Sequence, residues 1–135
     1  RAGTIIRHRV ALTKTAAGTG SPITIVRYGT AGSTADTALG TITWQIQTAA
    51  ADTGWLEVES VARAAGAGAT LQVNAQLTHR LAATGIGTTF VQIAQFTGTG
   101  IDFTLPTGKI GISHSPAAGG TWTFQTVTAE AFNII

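Results

Sequence analysis

The sequence contains neither cysteine nor methionine among its 135 residues. The absence of cysteine excludes disulfides, thiolate metal ligands and thiol nucleophiles, and it leaves the redox compartment undetermined. A chain of this length can bury about two thirds of its unfolded surface, so we predict one domain, residues 1–135, that folds without covalent staples. Because the chain begins at Arg1 and not at methionine, we expect a processed product or a piece of a longer polypeptide.

Charge is also scarce. Only 10% of the residues are charged, against about a quarter in an average soluble domain. No apolar run reaches the roughly 18 residues that a membrane span needs, so we predict a soluble protein without a membrane partner. The net charge is +2, and no basic stripe interleaved with aromatic residues follows, so no nucleic-acid partner is predicted. A surface of Thr, Gln, Ser and Gly is typical of large assemblies, where few charges repel neighbouring subunits, and of extracellular β proteins.

The clearest pattern in the sequence is the strict alternation over Leu71–Leu81. Amides, Thr78 and Arg80 occupy the even positions. A period of two residues predicts a β-strand with one buried and one wet face, and such a strand belongs to an antiparallel sheet. The residues predicted to point inward are Leu71, Val73, Ala75, Leu77, His79 and Leu81.

The rest of the chain predicts further strands separated by turns of Gly, Ala, Thr and Ser, with no helical pattern. We predict strands at residues 4–14, 23–28, a run in which Ile42, Trp44 and Ile46 share a face, 55–64, 89–96, 101–105, 109–115 and 121–135.

Three details of this strand pattern are specific enough to check. The short glycine-containing loop at 64–69 predicts a hairpin between strands 55–64 and 71–81. Pro106 ends the strand at 101–105, which predicts an edge position, and a bulge near Gln125 would reconcile the two apolar parities of the last strand. We therefore expect an all-β fold: an antiparallel two-sheet sandwich, jelly-roll-like, with eight to nine strands.

The segment Thr89–Leu105 carries apolar side chains on both parities. This is more apolar surface than one sandwich interior takes from two short strands, so we expect part of it to face a partner copy in a closed oligomer. The alternative is that a bulge turns all of these side chains inward. The residues assigned to the oligomer interface are Phe90, Ile93, Phe96, Ile101 and Phe103.

Two patterns resemble catalytic motifs. Asp52-Thr53-Gly54 matches the D-T-G of aspartic proteases, but its flanking residues differ from theirs, and we interpret Asp52 as a loop cap that bonds the backbone two residues on, as we do Asp36. Glu57 and Glu59 share one face of a strand, and we expect a neighbouring arginine, Arg63 or Arg80, to pair with them rather than a glycosidase pair. We therefore predict no catalytic residues and a protein that is not an enzyme.

Histidine and tryptophan supply the remaining candidates. His8, His79 and His114 lack metal-ligand spacing, so no metal site and no cofactor are predicted. His79 lies on an apolar face and is interpreted as a buried, hydrogen-bonded structural residue. Trp55 starts a strand beside a loop, which makes it the best candidate for an exposed ring that binds a sugar.

Several segments together resemble a class of proteins from tailed-bacteriophage virions. They are V-R-Y-G-T-A-G-S-T-A-D-T-A-L at 26–39, T-A-A-A-D-T-G-W-L-E-V-E at 48–59, A-Q-L-T-H-R-L-A-A-T-G at 75–85, G-K-I-G-I-S at 108–113 and W-T-F-Q-T-V-T-A-E at 122–130. These segments look like the turn and strand signatures of jelly-roll domains that decorate capsids or end head and tail fibres.

The resemblance implies a virion location and a non-enzymatic structural role. It also implies a homo-oligomer, commonly a trimer, that contacts other virion proteins such as the capsid or a fibre shaft. The alternative is a fibre-tip adhesin, a carbohydrate- or receptor-binding module that uses Trp55 on a host-surface glycan. The family carries no catalytic residues to transfer to this chain.

Overall fold

The computed structural model describes residues 2–81, 85–116 and 118–133. It is all-β, with 62% of the residues in strands and no helix in the described part. Arg1 and residues 134–135, which end the predicted last strand, lie outside the described residues. The strands are β1 (Thr4–Lys14), β2 (Ile23–Gly29), β3 (Thr37–Thr43), β4 (Asp52–Ala62), β5 (Ala69–His79), β6 (Val91–Ile101), β7 (Lys109–Ser115) and β8 (Trp122–Asn133).

The strands form two antiparallel sheets. The larger sheet has the order β6-β5-β4-β1-β8, and the smaller one has the order β3-β2-β7. The predicted hairpin between β4 and β5 is confirmed, and its loop contains Gly66 and Gly68 with φ of 85° and 74°. Glycine adopts this left-handed backbone conformation without steric cost because it has no Cβ.

The alternation predicted for β5 is confirmed residue by residue. Leu71, Val73 and Leu77 are fully buried, whereas Gln72, Asn74 and Thr78 are partly exposed and Gln76 is exposed. The strand ends at His79, so Arg80 and Leu81 lie beyond it, and the prediction that Leu81 points inward was wrong, since Leu81 is 38% exposed. Buried side chains from both sheets form one apolar cluster, which includes Val26 and Ile42 of the smaller sheet and Leu56 of the larger one.

The two sheets meet closely at β3 and β6. A Cβ built on Gly40 would overlap the Phe96 ring, and a Cβ built on Gly98 would lie 3.1 Å from Leu39 Cβ, a tight contact. On the opposite side, the ring of His8 hydrogen-bonds the backbone of Ile110 and joins β1 to β7.

The predicted bulge in the last strand is also confirmed. Ala11 pairs with Thr126, but Leu12 pairs with Phe124, so Gln125 is the additional residue. The bulge places Phe124 and Val127 on the same face despite their opposite parity, as a single inserted residue must.

Two strand predictions were wrong. Ile101 ends β6, and the residues after it form turns in which Asp102 accepts hydrogen bonds from the amide and hydroxyl of Thr104, so there is no separate edge strand at 101–105. Beyond β3, Trp44 is buried as expected, but Ile46 is 62% exposed. The prediction that Ile46 shares the face of Ile42 and Trp44 was wrong because β3 ends at Thr43, and side chains alternate with a period of two only within a strand.

Candidate functional site

Asp52 closes one end of the larger sheet. Its Oδ1 accepts the amides of Thr53 (2.8 Å) and Leu81 (3.2 Å), and its Oδ2 accepts the amide of Ile86 (3.1 Å). His79 supplies a fourth partner, with 3.0 Å between its Nδ1 and Oδ2. The carboxylate thus holds the chain on both sides of the β5–β6 connection.

His79 has both ring nitrogens facing acceptors. Nδ1 faces the Asp52 carboxylate, and Nε2 lies 2.6 Å from the carbonyl oxygen of Thr89. Both side chains of the pair are completely buried. The interpretation of His79 as a buried, hydrogen-bonded residue is confirmed, and neither nitrogen is left to exchange a proton with a substrate.

The D-T-G triplet is therefore a loop cap, as interpreted, but its bonds differ from those expected. Asp52 bonds the next residue and two residues of a distant loop rather than the residue two positions on. Asp36 bonds backwards, to the amides of Ala31 (3.0 Å), Gly32 (2.7 Å) and Ser33 (3.2 Å).

The charge state of Asp36 follows from these contacts. Desolvation works against ionisation, but the three amides and the positive charge of Lys109 outweigh it and hold the pKa of Asp36 below its ordinary value. The loop from Gly29 to Asp36 is consequently held by an ionised carboxylate.

Lys14 is a further buried polar residue at the Asp52 end, and the sequence analysis missed it. It is 2% exposed, and its Nζ donates toward the carbonyl oxygens of Thr15, Ala17, Thr48 and Ala50 at 2.7–3.0 Å. Burial lowers the pKa of Lys14, and Asp52 opposes that effect. The sequence did contain a signal for this burial, because Lys14 falls on the same side of β1 as the buried Val10 and Leu12.

Glu57 and Glu59 lie on the outer face of β4, on the side away from the core. Glu59 accepts Arg7 Nη2 at 2.6 Å, and Glu57 accepts Arg9 Nε at 2.7 Å. The expected pairing with Arg63 or Arg80 was wrong, because the neighbour of β4 on this side is β1. The hydrogen bond to Glu59 is the largest contribution that raises the pKa of Arg7. Both carboxylates are engaged in ion pairs.

Trp55 lies on the same outer face, one row from these ion pairs. Its side chain is 40% exposed and stands opposite Thr78, which in turn stands opposite Val91. Glu57 lies two residues further along the strand. The site therefore offers an aromatic plane beside hydroxyl and carboxylate groups, an arrangement suited to a polar ring-shaped ligand.

The five residues assigned to the oligomer interface differ in their exposure. Ile101 is fully buried in the core of its own chain, and Phe96 and Phe103 pack against that core. Phe90 and Ile93 remain 52% and 70% exposed. Phe90 and Ile93 are thus the members of this set with the most surface available to a partner copy.

His8 and His114 lie where β1 and β7 face each other. Trp44 Nε1 donates to Thr24 Oγ1 (2.8 Å), which lies 3.0 Å from His114 Nδ1. Because the hydroxyl can accept from a second donor or give its hydrogen to Nδ1, the direction of this bond depends on which His114 nitrogen carries the proton. The same ring stacks on Trp122, with 4.3 Å between centroids.

The pKa values of both histidines follow from this environment. Burial lowers the pKa of His114 from 6.5 to about 4. Burial also lowers the pKa of His8, and the hydrogen bond to Ile110 offsets part of that effect. In the described residues, no three histidine or acidic side chains stand close enough to hold a metal ion.

Comparison of the chain with family models, with curated proteins and with solved structures finds no match in any of the three. Within the described ranges, no helix has the length and apolar character to cross a membrane.

The lowered histidine pKa values predict a pH-dependent stability. Between pH 6.5 and about 4, the unfolded His114 ring binds a proton and the folded ring does not, so the free energy of unfolding falls as the pH falls. This shift corresponds to at most about 3 kcal/mol. Urea titrations at several pH values across this window measure it.

A matched variant separates this effect from other titrations. His114→Gln removes the ionisable ring, so the slope of the unfolding free energy against pH should be smaller than in the parent chain. An unchanged slope in this variant would contradict the assignment.

Proposed function

We propose that this chain is a non-enzymatic structural domain of a tailed-bacteriophage virion, a capsid decoration or fibre domain that works as an oligomer. The observation that best supports this proposal is the long, weakly charged edge strand β8. Every described side chain from Thr123 to Phe132 is exposed, and Glu130 is the only charged one among them. This edge favours assembly with neighbouring chains over an isolated monomer.

The proposal includes the finer fold, a jelly-roll-like sandwich. Three pairs, β1 with β8, β2 with β7 and β4 with β5, match a long eight-stranded hairpin folded on itself. The fourth pair of such a hairpin, β3 with β6, is in contact between the sheets rather than in a ladder. The single core cluster with residues from both sheets supports face-to-face packing.

The edge of β8 supports oligomerisation for a physical reason. Monomeric proteins protect an edge strand with proline, lysine, a bulge or a covering loop. The stretch after the Gln125 bulge contains no proline, lysine or arginine. Val127 is 59% exposed and Phe132 is 43% exposed. Covering them with another copy removes apolar surface from water.

The first test concerns the particle. Purified virions of a phage that encodes this sequence should contain the chain in many copies, because decoration and fibre proteins repeat with the symmetry of the particle. Quantitative mass spectrometry of virions measures this. Absence of the chain from pure particles would refute the structural role.

The second test concerns the oligomer. We predict that the isolated domain sediments with the mass of three 13.8 kDa chains, and that Val127→Asp or Ile93→Asp shifts it to the mass of one. A new charge in a buried apolar interface costs several kcal/mol, whereas the same charge in water costs little. Sedimentation equilibrium distinguishes these states.

Thr43→Asp is the matched control, since it adds the same charge at an exposed position of the smaller sheet. The control should retain the mass of the parent chain. Parent protein that stays monomeric at micromolar concentration would contradict the proposed assembly.

The exposed ring of Trp55 favours a second candidate function, binding of a host-surface glycan by a fibre tip. We predict that the oligomer binds a subset of glycans on an array and that Trp55→Ala loses this binding. Because the ring is exposed, the variant should fold normally, and Trp55→Phe should retain weaker binding. Absent binding by the parent chain, or equal binding by Trp55→Ala, would exclude this site.

A further inference from the structure

A cavity of about 440 Å³ lies on the outer face of the smaller sheet. Arg27 of β2 forms one side, and Lys109, Gly111 and Ser113 of β7 form the other. The residues of these two strands lie on the same face because Arg27 pairs with Gly111, Gly29 with Lys109 and Ile25 with Ser113. The loop that Asp36 caps contributes Gly32, Ser33 and Thr34.

Gly111 is the reason that the sheet is open at this point. A Cβ built on it would meet no atom within 4 Å, and its φ is not in the left-handed region. The glycine therefore serves neither a turn nor a close backbone approach. What its missing side chain provides is room beside the Arg27 guanidinium.

The guanidinium is held in position by the protein. Arg27 Nε donates to Ser113 Oγ at 2.9 Å, and Nη1 donates to the carbonyl oxygen of Asp36 at 2.9 Å. Nη2 has no hydrogen-bond acceptor among the described residues. Because Ser113 Oγ accepts from Arg27, its own hydrogen is available to another acceptor.

The second cation lies beside the loop. A Cβ at Gly32 would lie 3.4 Å from Lys109 Nζ, so the ammonium is at the rim of the cavity. The ionised carboxylate of Asp36 interacts with Lys109 and offsets one of the two cations, while its oxygens already accept three backbone amides. The lining therefore has a net charge of +1 from Arg27, Lys109 and Asp36, and Arg27 Nη2 and the Ser113 hydroxyl remain as donors for a ligand.

We propose that this cavity binds the oxyanion of a small acidic ligand, the carboxylate of a sugar acid or the phosphate of a sugar phosphate. An arginine held by two hydrogen bonds and a lysine at the rim suit such groups, since both donate charge-assisted hydrogen bonds. The volume is in the range of small-molecule sites. This proposal is independent of the virion role and of the Trp55 face, which belongs to the other sheet.

The test is a titration of the ¹⁵N-labelled full chain, followed by amide chemical shifts, with glucuronate, glucose 6-phosphate and glucose. At least one acid should shift the amides of residues 109–113 with a Kd below about 20 mM, and glucose should not. Binding of glucuronate alone assigns a carboxylate site, and binding of glucose 6-phosphate alone assigns a phosphate site. No binding of either acid, or equal binding of glucose, would overturn the proposal.

Two variants test the residues. Lys109→Gln should weaken binding at least about fivefold by loss of one charge, and Gly111→Leu should abolish it by filling the room beside Arg27. Arg63→Gln is the control, since it removes one charge from an exposed position outside the cavity lining, and it should leave the Kd unchanged. Equal binding by the parent, Lys109→Gln and Gly111→Leu would overturn the proposal. Should Gly111→Leu fail to fold, Lys109→Gln and the control decide.

Discussion

The structure depends on the burial of one face of β4 and β5. Leu56, Leu71 and Leu77 are completely buried there, and burial of each large aliphatic side chain contributes about 1.5 to 3 kcal/mol. The smaller sheet adds side chains to the same cluster. It approaches the larger sheet closely at the glycines of β3 and β6, where Phe96 lies against Gly40 and Leu39 against Gly98.

The ends of these strands present a different problem, because their loops bring polar backbone next to the core. Lys14 pairs in register with Asp52 at one such end, so two opposite charges are buried side by side. Each is tolerated because it has a full set of partners, carbonyl oxygens for the ammonium and amides with a histidine for the carboxylate. Side chains thus hold this end closed together with the last pairs of the β1–β4 ladder.

The sequence predicted those features that depend on residues near each other in the chain. The alternation in β5, the hairpin with β4 and the bulge at Gln125 are local patterns, and all three were correct. The arginine partners of Glu57 and Glu59 were wrong because they depend on which strand lies beside β4, a contact across about fifty positions. The pairing of Asp52 with His79 was missed for the same reason, although each residue alone was interpreted correctly. The loss of regular alternation at Ile46 depends on where β3 ends, which side-chain period alone does not fix.

The pairing of β1 with β8 has a kinetic consequence. The register joins Thr4 to Asn133, so the ladder between the first and last strands forms only after nearly the whole described chain is available. Such non-local pairing gives a high contact order and slow folding, whereas the hairpins from β4 to β6 can form from adjacent segments during synthesis. Until β8 arrives, β1 has a free edge next to an already folded β4. β8, the last of the described strands in chain order, thus closes one side of β1 and leaves its own outer edge as the border of the sheet.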